Sequence, residues 1–166
     1  MSPDVVIYVK GGCTPKKVGG WSLLIIHANN GDSLSVRKGV VRTSKHKMVL
    51  QASIEALSRI EPGPTIEIRT DSWYLYTMRT DWVDAWREKN WTKKRGANNN
   101  KKIRPISNLN LVRDLDALCL KHRVTFVRVK DDSGIPYVEK LLAAAIEAVN
   151  KDYSLKTITE AYRVEE

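Results

Sequence analysis

Cysteine is scarce in this chain of 166 residues. Cys13 and Cys119 are the two present, and they supply neither a disulfide framework nor the paired spacing of a zinc site. That excludes the small disulfide-stapled folds and points to a reducing, intracellular setting, nuclear or cytoplasmic. Long apolar runs are also missing. The longest, WSLLIIHA, is far too short to cross a bilayer, so no membrane partner is expected. The first residues, MSPDVVIYVK, lack the basic-then-apolar plan of a signal peptide. No repeat, low-complexity block or domain linker interrupts the chain. What is present is a 42% apolar fraction, enough for a core at this size, and a net charge of +9. The length suits one domain, and the charge makes a polyanion the first partner to consider.

The order of elements follows from periodicity. VVIYVK reads as a buried strand rich in β-branched residues, and GGCTPKKVGG turns the chain. WSLLIIHA and SLSVRKGVVR are two more strands joined by an Asn-Gly hairpin at NNGD. Ser44 caps a helix running to about Arg59, which EPGP ends. TIEIRT is a fourth strand with clean alternation. SWYLYTMR and DWVDAWREKN read as two short helices, and TKKRGANNNKK as a basic loop. Asn108 is placed to cap the helix of SNLNLVRDLDALCLKHR, VTFVRV is a fifth strand, and Pro136 opens a last helix. Residues 152–166 are left as a mixed tail with at most partial order. Three meandering strands followed by alternating helices and strands imply an α/β fold with a mixed five-stranded sheet flanked by helices.

This order, with six local strings, resembles ribonuclease H type 1 over about positions 4 to 150. IYVKGGC lies where that family has its first strand and an Asp-Gly-Ser-Cys turn. KMVLQASIEAL matches its first helix, and IRTDSWYL the Thr-Asp-Ser end of its fourth strand. WVDAWREKNWTKKRG is similar to the tryptophan-rich helix and basic protrusion of the cellular enzymes, here about residues 79–104. Asn108 and VRVKDDSGIPYVEKLLAAA complete the series. The resemblance implies a ribonuclease H-like domain over 1–151: three antiparallel strands, then parallel additions.

It also implies a chemistry. The family cuts the RNA strand of an RNA–DNA hybrid with two magnesium ions. Two neighbouring dications repel, and four carboxylates offset that repulsion. The four positions here hold Lys10, Val49, Asp71 and Leu142, and Asp71 alone is acidic. Asp132 takes the place of the family's mobile-loop histidine. At about 4 Å and an effective dielectric of about 20, an ammonium at position 10 repels a dication by about 8 kcal/mol. An ion pair between Lys10 and Asp71 is expected in its stead. Asp131, Asp132 and Glu139 could build a rearranged site for one ion, but a helix N-terminus favours acids in any case. The expectation is therefore no magnesium, no cofactor and no catalysis.

The binding surfaces are a separate matter. Between Arg79 and Arg104 nine basic residues face three acids, with Trp82, Trp86 and Trp91 interleaved. Arg87, Lys93, Lys94 and Arg95 are candidates for phosphate contact, the tryptophans for packing on sugars or bases. Tryptophans one helical turn apart also suit packing of the protrusion on itself. Cys13, Lys16, Lys17, Ser44 and Asn108 match or adjoin other contact positions of the family. Lys45 and His46 replace its two groove-reading asparagines, and Trp73 its glutamine, exchanging directional hydrogen bonds for charge and stacking. The function expected is a pseudo-ribonuclease H that binds hybrid, duplex RNA or single strands without cutting. Two alternatives stand beside it: a scaffold that docks a protein partner in the old groove, and a residual metal-dependent ribonuclease H using Asp71.

Overall fold

The computed structural model describes residues 2–96, 102–130, 134–151 and 162–165. Strands β1 (Val5–Cys13), β2 (Val18–His27) and β3 (Ser33–Val41) form the antiparallel meander, with Ile7 opposite Ile25 and Val9 opposite Leu23. β4 (Thr65–Thr70) adds parallel to β1 and carries β7 (Arg123–Arg128), also parallel, on its far side. The five expected strands are thus present. A sixth, β8 (Tyr162–Glu165), comes from the segment read as a tail and pairs antiparallel with β3, giving the order β7-β4-β1-β2-β3-β8. Residues 152–161 lie outside the described residues.

Strand alternation divides β1 between two cores. Val5, Ile7 and Val9 belong to the main core, under helix α1 (Lys45–Ser58) and helix α4 (Leu109–Lys121). Tyr8 belongs to a smaller one with Leu24, Ile135 and Val138, under helix α5 (Gly134–Lys151). Two glycines let the helices approach. A Cβ at Gly11 would stand 2.4 Å from the Val49 backbone nitrogen of α1, and one at Gly12 would stand 3.0 Å from Leu142 of α5.

Local signals hold with adjustments. Ser44 caps α1, its Oγ accepting from the Lys47 N–H at 3.3 Å. The two helices read after β4 are one continuous rod: α2 (Trp73–Thr77), a π-helical turn (Met78–Trp82) and α3 (Val83–Glu88). The segment read as a basic loop is a small antiparallel hairpin, β5 (Thr92–Arg95) with β6 (Lys102–Pro105). Consecutive Lys93, Lys94 and Arg95 hide any apolar alternation, so the pattern carries no strand signal. Residues 97–101 at its tip lie outside the described residues. Asn108 stands at the N-cap of α4 but in the left-handed region (φ 57°), and its side chain makes no capping bond. α5 begins at Gly134, two residues ahead of Pro136.

Candidate active site and nucleic-acid interface

The end of β4 is held firmly. Thr70 is buried, accepts the Val129 N–H on its carbonyl at 2.9 Å, and accepts the Ser72 N–H on Oγ1 at 3.0 Å. Ser72 Oγ then caps α2 by accepting from Leu75 N–H at 3.1 Å. Asp71 sits between these two fixed residues. Its carboxylate is taken by the Lys10 ammonium from the neighbouring strand β1, which is the expected ion pair.

Val49 and Leu142, the two remaining positions where the resemblance places metal-ligating acids, are apolar and buried. Val49 lies in the main core behind Gly11. Leu142 packs on Gly12, and a Cβ at Gly20 would stand 3.4 Å from it. Among the described residues no group of three or more His, Cys, Asp or Glu is placed to hold a metal ion. Glu139 is exposed on α5, and Asp131 and Asp132 lie outside the described residues. The described side chains therefore do not fit a two-cation centre.

The residues singled out for binding fall into three places. Lys16 and Lys17 are exposed on the β1–β2 turn, where Lys17 has φ 67° and its carbonyl accepts the Thr43 N–H at 3.1 Å. Beside them the Cys13 thiol donates to the carbonyls of Thr14 and Thr43, both at 3.3 Å, and Ser44 is occupied as a cap.

A ladder of rings forms the second place. Lys45 and His46 are exposed on the first turn of α1, and the His46 imidazole stacks on Tyr74 (centroids 3.8 Å, planes 6° apart). Burial against that ring, and then the charge of Lys45, hold His46 below the usual imidazole range. Tyr74 meets Trp82 edge-on at 6.4 Å, and burial pushes its hydroxyl above the usual tyrosine range. Trp82 meets Trp73 edge-on at 5.4 Å and Trp86 at 5.7 Å. Trp82, Trp86 and Trp91 pack partly on the core, whereas Trp73 is 54% exposed beside Asp71.

The hairpin is the third place. Lys93 and Lys94 are exposed there, and Trp86, Lys89, Thr92 and Ile103 share with them a cavity of about 450 Å³. Arg95 contributes its backbone to β5.

Arg87 is engaged elsewhere. Its Nη2 and Nε donate to Asp116 at 2.6 and 3.2 Å, and its Nη1 to Asp84 at 3.0 Å. Arg79 Nη1 donates to the same Asp116 at 2.9 Å. Desolvation pushes the Asp116 carboxyl up, but the two guanidinium groups outweigh it and hold the group below the ordinary aspartate value. Neither Asp116 nor Tyr74 stood out in the sequence. A signal for Asp116 existed: it falls in the buried stripe Val112, Leu115, Asp116, where an acid requires a partner.

Comparison with known proteins places this geometry. The model of the RNase H family matches residues 2–146. A ribonuclease H of Phenylobacterium zucineum is 31% identical over 152 residues, covering 91% of this chain and 94% of the relative. One of Mycolicibacterium smegmatis is 33% identical over 137 residues, covering 81% of each. Among solved structures, LC9-RNase H1, a type 1 RNase H with the type 2 active-site motif, has a TM-score of 0.73 at 22% identity, covering all of this chain and 79% of its own. The chain belongs to the RNase H family.

These relatives overturn three expectations: that the protein does not cleave, that it is no enzyme, and that it dispenses with a metal cofactor. Relatives matched over most of their length are named as ribonucleases, which counts against an inactive protein. The absence of acids at Lys10, Val49 and Leu142 does not by itself fix a ligand set, because oxygen donors elsewhere in the chain can also coordinate a cation.

Proposed function

We propose that this protein is a ribonuclease H that hydrolyses the RNA strand of an RNA–DNA hybrid, with a divalent metal as the family's cofactor. The observation that carries this reading is the match of relatives named ribonuclease H over nine-tenths of both chains. The surface supports it. The exposed cations Lys16 and Lys17 on one side and Lys93 and Lys94 on the other suit phosphate backbones, and the salt-sensitive part of the affinity resides there. Trp73 and Trp82, which meet edge-on along the rod that follows Asp71 in the chain, offer ring faces to sugars or bases. Asp71 is the carboxylate we assign to the reaction, and in the structure it is held by the Lys10 ammonium, which a cation has to displace. An intracellular setting goes with such a substrate.

The test is a hybrid carrying labelled RNA, incubated with the full chain and magnesium or manganese, beside Asp71→Asn. Shortened RNA with the wild type and intact RNA with the variant support the assignment. Equal cleavage by both removes Asp71 from the chemistry, and intact RNA with both removes the activity.

A further inference from the structure

Asp116 has no place in the reaction just described, yet it is the most heavily engaged buried acid among the described residues. It is 4% exposed on α4 and accepts three N–H bonds from two arginines of a different element. Arg79 lies in the π-helical turn and Arg87 in α3, so both belong to the rod that carries Trp82 and Trp86 and leads into the basic hairpin. In a uniform α-helix residues eight apart point about 80° away from each other. The π turn, with fewer degrees per residue, reduces that offset, and both guanidinium groups reach one carboxylate. Arg79 also lies over the Phe126 ring of β7 at 5.6 Å, which fixes it from a second side. With a side chain only 10% exposed, Arg79 is in no position to meet a phosphate itself.

We propose that Asp116 is a positioning residue for nucleic-acid binding: it clamps the rod and hairpin to the body of the protein and sets the angle at which Trp82, Trp86 and the hairpin lysines meet the hybrid. The inference rests on the reading above, in which this arm binds nucleic acid. Its prediction has an unusual sign. Removing the charge of Asp116 makes the chain more positive and releases two guanidinium groups. Electrostatics alone then predicts tighter binding of a polyanion. Positioning predicts weaker binding, because the pre-set arrangement of the contacts is lost.

The experiment measures equilibrium binding of a labelled RNA–DNA hybrid to the full chain in chelator, where no cleavage occurs. Wild type, Asp116→Asn, Asp116→Glu and Arg79→Lys are compared, with thermal melts to confirm that each is folded at the assay temperature. The expected result is about tenfold weaker binding for Asp116→Asn, corresponding to about 1.4 kcal/mol. Partial recovery is expected for Asp116→Glu, and a loss in the same direction for the charge-neutral Arg79→Lys. Where metal-dependent turnover is followed, KM rises and kcat holds. Binding by folded Asp116→Asn that equals or exceeds wild type overturns the inference. Should that variant fail to fold, unchanged affinity in Arg79→Lys overturns it instead. A wild-type chain that retains no hybrid removes the proposed binding function and this inference with it. A wild type that binds, beside variants that bind as well, removes this inference alone.

Discussion

The Lys10 ammonium on β1 is ion-paired with the Asp71 carboxylate at the end of β4, so a cation of the chain itself occupies that carboxylate. A cation approaching Asp71 meets this resident positive charge. Lys10→Met removes the repulsion and leaves the carboxylate free. The half-saturating concentration of magnesium or manganese for hybrid cleavage is expected to fall by about tenfold or more. The pair is partly exposed, so the variant is expected to lose only about 1 kcal/mol of stability. A metal titration with a thermal melt checks both, and an unchanged metal requirement would show that Lys10 does not oppose cation binding.

The hairpin cations predict a salt dependence. Lys93 and Lys94 are exposed on β5. If each neutralises one phosphate, changing both to Gln reduces the slope of log affinity against log salt by about 2. Affinities of both proteins at a series of salt concentrations measure this. Parallel slopes would assign the hairpin to solubility alone.

Asp116 predicts a pH dependence of stability. Desolvation raises its pKa, the two arginines lower it more, and the net result lies below the ordinary aspartate value. The unfolded chain therefore takes up a proton here at higher pH than the folded one. The stabilisation is fully present above the unfolded value of about 4 and is lost as pH falls through the folded value. The melting-temperature difference between wild type and Asp116→Asn is expected to be largest near neutrality and to shrink below about pH 4. A difference that stays constant through that range would contradict the ion-pair assignment.

Gly11 predicts a packing defect. A Cβ there would stand 2.4 Å from the Val49 nitrogen and 2.9 Å from Met48 Cβ, and backbone cannot swing aside. Gly11→Ala is expected to cost about 1–3 kcal/mol or to prevent folding. Denaturant unfolding measures it, and a wild-type midpoint would show that α1 can withdraw from β1.

Much of the fold was legible because period-2 runs such as TIEIRT and the capping Ser44 carry local physical meaning. The β5–β6 hairpin was not, because a run of cations carries no alternation. β8 was not, because its pairing with β3 depends on a distant partner rather than on local pattern. At the site, the Lys10–Asp71 pair was legible through the resemblance, which set the two residues side by side, and through their opposite charges. The step from that pair to an inactive protein failed. It treated four positions as the whole chemistry, whereas the family match spans residues 2–146. The Asp116 clamp went unread because α4 looked like an ordinary amphipathic helix until its partners on the rod were seen.

The most direct test labels the RNA and DNA strands of one hybrid separately and follows both during incubation with the full chain and magnesium or manganese. The account predicts that the RNA strand is cut while the DNA strand stays whole. A hybrid whose RNA remains intact under every metal condition, or whose two strands are cut alike, would contradict it.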